Sequence, residues 1–325
     1  MKQRCTYPRQ FGLLFPLILA FVGLSPLAAS AQYPYDQVVA FGDSLLDNGN
    51  LFALSGNAFP PPPYFQGRFS NGPVSVELLA SRLGIPLDDH AFGGAFTDTQ
   101  TVFDGAHPGN PNIPGAPGMQ QEVGAYLTAH PTVDPNALYM LWGGANDYLN
   151  GGQTNPGIPV TNLTSQITLL ASHGARYFLV PNLPNLGSLP ATIGTPFSDG
   201  LNQLTAFHNL LLAGSLQSLH ASLPGDQFFL MDDNALVANI QANPGAFGFT
   251  NTTQAFLSNP VGDPNNYLFW DIVHPTEHGQ ILLSGVAFAA VTPEPGAVGL
   301  LAALSVTGAG FTFRRLRRKS ARRSP

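Results

Sequence analysis

Between residues 32 and 292 the chain alternates short apolar runs with stretches of helical spacing. Runs at 36–41, 137–142, 176–180 and 226–231 predict β-strands, of which the second and third are buried, and 87–92 is a candidate for a further short strand. Four stretches indicate helices: 73–83, 162–172, 201–223 and 276–290. Strands that alternate with helices predict one α/β domain with a central parallel sheet of about five strands. In such a fold the functional site lies beyond the carboxyl ends of the strands.

Two segments rich in proline and glycine, 55–67 and 104–118, interrupt this alternation. Proline and glycine at this density predict surface loops. Two interpretations stay open, a neutral insertion and a rim that shapes access to the site, since long loops in α/β folds often have that role.

The charge is distributed unevenly along the chain. Residues 32–292 hold three of the 13 basic residues and 18 of the 19 acidic ones, a formal charge of 3 − 18 = −15. A body this acidic repels phosphate backbones, which argues against a nucleic-acid partner. The only cysteine is Cys5, so a disulfide framework and a zinc site made of several cysteines are excluded.

The first 31 residues have the pattern of a secretory signal peptide. Basic residues lie within the first nine positions, residues 11–24 are apolar, and Ala29, Ser30 and Ala31 form a small-x-small cleavage site. A transmembrane anchor is the alternative, although the apolar stretch is short for a span. We expect residues 1–31 to be removed and the body of the chain, residues 32–292, to be exported.

The last 33 residues also have the pattern of a targeting signal. Pro293, Glu294 and Pro295 precede 18 uncharged residues, 296–313, and a basic cluster follows from Arg314 to Lys319. This order predicts a membrane tail with the basic cluster in the cytoplasm. Residues 293–325 resemble a PEP-CTERM sorting signal. The resemblance implies a Gram-negative producer, an exosortase-type processing enzyme, and residence in the periplasm, at the cell surface or in the extracellular matrix. A plain uncleaved anchor is the alternative.

Two short segments carry residues suited to nucleophilic catalysis. Ser44 belongs to the sequence Gly-Asp-Ser-Leu, which directly follows the first predicted strand. At the start of a helix a serine can act as a nucleophile, and the alternative is that it only caps the helix. Asp271 and His274 lie three residues apart on one segment, so one loop can supply a base and the carboxylate that orients it. Capping of the last helix is the alternative for this pair.

Two Gly/Asn segments follow the second and third strands. The backbone amide of Gly94 and the side-chain amide of Asn146 suit the stabilisation of an oxyanion, and the Ser44 amide is a third candidate donor. Each segment taken alone is equally typical of a turn.

Taken in order, five sequence blocks resemble the GDSL, or SGNH, hydrolases and their phospholipase/lecithinase/haemolysin-like branch: FGDSLLDNGN, GRFSNGPVSVELLA, AFGGAFT, GGANDY and DIVHP. The resemblance implies a flavodoxin-like three-layer sandwich and a serine esterase or lipase that needs no metal or organic cofactor. It implies these roles: Ser44 nucleophile, His274 base, Asp271 orienting carboxylate, Gly94 and Asn146 oxyanion donors. Gly93 is the alternative to Gly94.

The substrate implied is an ester: a lipid, a short-chain ester or an acetylated polysaccharide. An acyltransferase on the same site and a non-catalytic surface or matrix protein are alternatives. Three lesser hypotheses concern other residues. His274 and His278 match the zinc pattern H-x-x-E-H, His278 is a second candidate base, and the pair Asp232 and Asp233 is either a cation site or, as we expect, a solvated loop.

Overall fold

The computed structural model describes residues 33–292. The predicted signal peptide, 1–31, and the predicted sorting tail, 293–325, lie outside the described residues. Within 33–292 no helix combines the length and the apolar character needed to cross a membrane.

The centre of the fold is a parallel sheet of five strands in the order β2-β1-β3-β4-β5. The strands are β1 (Gln37–Gly42), β2 (Leu87–Asp89), β3 (Ala137–Trp142), β4 (Tyr177–Pro181) and β5 (Gln227–Met231). Each overlaps one of the five predicted strand segments, although β2 takes up only the first three residues of 87–92, so the predicted α/β class with a five-stranded parallel sheet is confirmed. The strand order is that of flavodoxin-like folds. All six residues of β3 are buried, as expected for the middle of a sheet covered on both faces.

Eight α-helices lie in the described part of the chain: α1 (Asn50–Leu54), α2 (Ser75–Leu83), α3 (Met119–Ala129), α4 (Ala145–Leu149), α5 (Gly157–Ser172), α6 (Ser198–Ser222), α7 (Asp233–Ala242) and α8 (Glu277–Val291). Helices α2, α7 and α8 share one apolar core with one face of the sheet, and α3, α5 and α6 share a second core with the other face. Successive β1 residues alternate between the cores, with Val38 in the first and Val39 in the second. The result is a three-layer sandwich.

Several elements were not predicted from the sequence. The structure also contains helices α3 and α7 and a second sheet made of β6 (Asn251–Ala255) and β7 (Tyr267–Phe269). Strand β6, with the sequence NTTQA, has no apolar run that could reveal it. Its partner β7 has only three residues. This small sheet matters because β7 leads directly into the segment that contains Asp271 and His274.

The two loops rich in proline and glycine share a small apolar cluster of their own. Phe59 from the first loop packs against Phe103, with 5.3 Å between ring centroids, and against Phe69 at 6.0 Å. Phe69 in turn lies 5.0 Å from the His274 ring. The cluster therefore adjoins the segment that holds the candidate base, as the rim interpretation of these loops requires.

Candidate active site

Ser44 lies in a tight turn at the carboxyl end of β1. The Leu46 N–H donates to the Asp43 carbonyl at 3.0 Å, and the Leu45 N–H donates to the Asp43 side chain at 3.0 Å. The expectation that a helix starts at Ser44 is wrong, because α1 begins only at Asn50. The Asp43 side chain satisfies the Leu45 amide and holds the turn without a helix. Ser44 is 8% exposed.

The segment between β7 and α8 brings Asp271 and His274 to this serine. One oxygen of Asp271, Oδ1, accepts the N–H groups of Val273 and His274 at 2.8 and 2.7 Å. The other, Oδ2, lies 2.7 Å from His274 Nδ1, and His274 Nε2 lies 2.7 Å from Ser44 Oγ. Thr276 then caps α8 through its side chain. The three residues thus form one hydrogen-bonded chain from carboxylate to hydroxyl.

Asp271 and His274 shift each other's pKa. Burial opposes the ionised form of Asp271, but the His274 charge and the hydrogen bonds from His274 and Val273 outweigh it and lower the pKa of Asp271 to about 2. Burial likewise opposes a charged His274, yet the Asp271 carboxylate outweighs it and raises the pKa of His274 above its ordinary value. Asp43 adds to that increase. The imidazole is therefore held in a site that stabilises its protonated form.

The predicted oxyanion donors lie on the neighbouring loops. Within 33–292 no acceptor takes the Gly94 N–H, whereas the Gly93 N–H donates to Asp47 at 2.7 Å and is already occupied. Gly94 has a φ of 77°, and a Cβ there would come within 2.4 Å of Val102, so the position requires glycine. Asn146 Nδ2 donates to the Ala95 carbonyl at 3.1 Å and makes a longer contact of 3.5 Å with Asp43 Oδ2.

Buried carboxylates that sequence reasoning missed hold these loops. Glu122 on α3, 3% exposed, accepts the N–H groups of Gly42 and Phe92 at 2.9 and 3.2 Å. Asp147 accepts both the N–H and the hydroxyl of Thr97 at 3.1 and 2.7 Å. The signal for Glu122 was its place on the otherwise apolar inward face of α3. These bonds fix the serine turn and the Gly/Asn loops relative to one another.

Tyr64 is a second residue that sequence reasoning missed. Its hydroxyl donates to Asp271 Oδ2 at 2.7 Å, so that oxygen serves both Tyr64 and His274. Tyr64 belongs to the loop 55–67, and its ring packs edge-on against Trp270. No local sequence signal links it to Asp271, because the two residues are 207 positions apart.

The structure also bears on the hypotheses about His278 and about the pair Asp232 and Asp233. His278 Nδ1 lies 2.8 Å from the Asn265 carbonyl, so His278 and His274 serve different partners rather than a common centre. The expectation of a solvated loop at Asp232 and Asp233 is wrong. Asp232 caps α7 by accepting the Ala235 N–H at 3.0 Å, and Asp233, the first helical residue, is buried with 2% exposure.

The chain has recognisable similarity to known proteins. The chain is 30% identical to a phosphatidylcholine-sterol acyltransferase of Aeromonas hydrophila, over 74% of this chain and 71% of that protein. It is 28% identical to the thermolabile hemolysin of Vibrio parahaemolyticus, over 77% and 62%. An uncharacterized protein of Pseudomonas putida is 31% identical over 80% of this chain, which spans about half (49%) of that protein's length.

Among solved structures, an alpha/beta hydrolase enzyme from the metagenome of Lake Arreo aligns with a TM-score of 0.46 and 12% identity, over 80% of this chain and 97% of that one. The model of the family described as GDSL-like Lipase/Acylhydrolase matches residues 38–284. That range contains every site residue named above and most of the described chain. The chain belongs to the GDSL-like lipase/acylhydrolase family.

Proposed function

We propose that this protein is an exported serine hydrolase that cleaves carboxylic ester bonds through an acyl-enzyme intermediate. The observation that carries the proposal is the unbroken hydrogen-bonded chain from Asp271 through His274 to Ser44 Oγ, with 2.7 Å at both links. This order of carboxylate, imidazole and hydroxyl is the one that activates a serine for attack on an acyl carbon.

The chemistry follows from the atoms in contact. His274 Nε2 takes the proton of Ser44 Oγ as the oxygen attacks the ester carbonyl, and Asp271 stabilises the imidazolium that forms. The tetrahedral oxyanion is held by the N–H groups of Gly94 and Ser44 and by the Asn146 side chain. His274 then returns the proton to the leaving alcohol, and a water activated by the same base releases the acid.

Export and processing complete the proposal. Residues 1–31 act as a signal peptide, and an exosortase-type enzyme processes the tail 293–325 in the periplasm or at the cell surface of a Gram-negative bacterium. Candidate substrates are lipid esters, short-chain esters and acetylated polysaccharide. The formal charge of −15 on residues 32–292 disfavours strongly anionic ones.

A second candidate is acyl transfer to an alcohol in place of water on the same site. The similarity to a phosphatidylcholine-sterol acyltransferase favours it. The two activities share every step up to the acyl-enzyme and differ in the molecule that accepts the acyl group. Product analysis with and without an added alcohol distinguishes them.

The testing experiment compares the full chain with Ser44→Ala on p-nitrophenyl acetate, butanoate, octanoate and palmitate at pH 8. We expect Ser44→Ala to lower kcat by about 10⁶-fold, since the parts of a triad act as a unit. Ser172→Ala, an exposed serine on α5, is the matched control. Hydrolysis that survives in Ser44→Ala would overturn the proposal.

The same assay tests the oxyanion donors. We expect Asn146→Ala to lower kcat by about 10²–10³-fold, because a donor aimed at the developing charge acts mainly in the transition state. Asn259→Ala, at an exposed position, is the control. An unchanged kcat in Asn146→Ala would remove this residue from the proposed site.

A further inference from the structure

Helix α4 carries Asn146, the proposed side-chain donor to the oxyanion, and it is too short to fix its own position. It has only five residues, Ala145–Leu149, and a helix of this length is unstable unless other parts of the fold support it. One pair of glycines, 143 and 144, precedes it, and a second pair, 151 and 152, follows it. Glycine restricts the backbone less than any other residue. Contacts with the rest of the fold must therefore hold the helix in place.

Two consecutive side chains of α4 make such contacts. Asp147 accepts the N–H and the hydroxyl of Thr97, in the loop after β2, at 3.1 and 2.7 Å. Tyr148, 5% exposed, contacts α6 instead, where its hydroxyl lies 2.9 Å from His208 Nδ1. The Tyr148 and His208 rings meet edge-on, with 5.7 Å between their centroids. The contact with His208 is the one that ties α4 to the helical layer of the sandwich.

His208 also contacts the residue that precedes α4. A Cβ built at Gly144 would lie 2.9 Å from His208 Cε1, so the imidazole packs directly against the Gly144 backbone. Gly144, with a φ of 110°, is the N-cap residue of α4. Gly144 and Tyr148 lie two residues before and two residues after Asn146. A single imidazole therefore supports the chain on both sides of Asn146.

The surroundings of His208 leave it no other evident role. The side chain is fully buried, and within 33–292 its Nε2 atom has no hydrogen-bond partner. Burial lowers the pKa of His208 to about 4, so the ring is neutral at pH 8 and acts on α4 by hydrogen bonding and packing. An apolar side chain would fill this space without burying an unpaired nitrogen, which is costly. The bond between Nδ1 and Tyr148 is what explains a histidine here.

We propose that His208 is a positioning residue for the oxyanion donor: through Tyr148 and Gly144 it holds α4 where the Asn146 side chain meets the developing charge. The inference rests on the proposed function, because Asn146 has this role only if an oxyanion forms at Ser44. A displacement of about 1 Å can lower a rate by about 10²-fold, so a small shift of α4 is enough. Since the oxyanion forms only during attack, the effect belongs to kcat and not to KM.

The test is a double-mutant cycle between Tyr148 and Asn146 in the full chain, with p-nitrophenyl acetate at pH 8. Tyr148→Phe removes the hydroxyl that contacts His208 and keeps the ring. We expect it to lower kcat by about three- to tenfold and to change KM by less than about twofold. In the Asn146→Ala background the same substitution should change kcat by less than about twofold, because the donor that it positions is gone.

Two variants of nearly equal shape test His208 itself. Asparagine places a polar atom close to the position of His208 Nδ1, and leucine does not. We expect kcat of His208→Asn to be at least about threefold higher than kcat of His208→Leu, since only asparagine can bond to the Tyr148 hydroxyl. If His208→Leu does not fold, the cycle with Tyr148→Phe still decides the question, because that substitution removes a single oxygen atom.

Tyr139→Phe is the matched control. Tyr139 is also fully buried, and its hydroxyl donates to the Asp134 carbonyl at 2.8 Å, at the edge of the sheet opposite to the site. Urea unfolding should show a similar loss of stability in Tyr139→Phe and Tyr148→Phe. Only Tyr148→Phe should lose activity, which separates positioning from a general loss of stability.

Three outcomes would overturn the inference. An unchanged kcat in Tyr148→Phe, or the same loss of kcat with and without Asn146, would show that His208 and Tyr148 do not act through Asn146, and would leave the proposed function intact. A normal kcat in Asn146→Ala would remove the donor that His208 is proposed to position, while Ser44-dependent hydrolysis would still support the esterase. Hydrolysis that does not depend on Ser44 would overturn the inference and the proposed function together.

Discussion

Asp271 and Asp233 are two largely buried aspartates whose pKa values lie on opposite sides of neutral pH. Asp271 accepts hydrogen bonds from two backbone amides, from Tyr64 and from His274, and its pKa is about 2. Within 33–292 the Asp233 Oδ1 atom has no hydrogen-bond partner, and the pKa of Asp233 is about 8. Burial raises the pKa of both groups, so the partners decide the difference.

The difference has a local origin. Asp271 lies on a loop in which the N–H groups of Val273 and His274 donate to its side chain, and the His274 ring three residues away also lowers its pKa. Asp233 is the first residue of helix α7, but its neighbour Asp232 takes the capping bond, and the Asp232 charge adds to the rise in the pKa of Asp233. Of these two adjacent acids, Asp232 therefore caps the helix, and Asp233 is buried with a neutral carboxyl.

The largest expected effect is the loss of activity on substitution of Asp271. Asp271→Asn keeps the shape of the side chain but removes the charge that stabilises the imidazolium and fixes its tautomer, so kcat should fall by about 10⁴-fold. Steady-state hydrolysis of p-nitrophenyl acetate measures it. Asp199→Asn, at an exposed position, is the control. A loss below tenfold would mean that Asp271 does not act on the reacting groups.

The next effect concerns stability and Asp233. Its folded-state pKa of about 8 lies above the ordinary value of 3.8, so the folded state binds more protons in between. Its contribution to stability is full below pH 4 and is lost as the pH rises toward 8. The difference in free energy of unfolding between the unaltered chain and Asp233→Asn should therefore fall by about 1.4 kcal/mol per pH unit between pH 5 and 7. Urea unfolding measures it, and a difference independent of pH would contradict the neutral carboxyl.

A smaller effect is expected in the pH profile. His274 must be neutral to act as a base, and Asp271 raises its pKa, so kcat/KM of the unaltered chain should rise along a limb whose pKa lies above 6.5. In Asp271→Asn the limb should move to lower pH, because the anion that favours the imidazolium is gone. Profiles from pH 5 to 9 measure this shift, and a limb at the same pH in both proteins would contradict the coupling.

The smallest expected effect belongs to Tyr64. Tyr64→Phe removes one of the four hydrogen bonds to Asp271 and retains the ring that packs on Trp270. The loss of a single hydrogen bond of this kind should lower kcat by about three- to tenfold. Tyr33→Phe, whose ring packs against Phe288 at the far end of the sheet, is the control. Equal activity in both variants would place Tyr64 outside the positioning of Asp271.

The sequence predicted the sheet because its central strands β1, β3 and β4 are almost entirely buried and appear as nearly continuous apolar runs. It failed for α7 because the acidic pair at its start was interpreted as solvated, although the following residues include the buried Leu236 and Ile240. It failed for β6 because an edge strand of polar residues carries no apolar run. In each case the missing information was what the segment packs against.

For the candidate site as well, the sequence predicted local contacts and could not predict the long-range ones. The local spacing of Asp271 and His274 was enough to predict their hydrogen bond, because three residues on one loop keep the two side chains within reach. Ser44 and His274 are 230 positions apart, and Tyr64 and Asp271 are 207 apart. Only the fold brings such pairs together. It also decides that Asp233 is buried, since burial depends on how α7 packs in the fold and not on the sequence around Asp233.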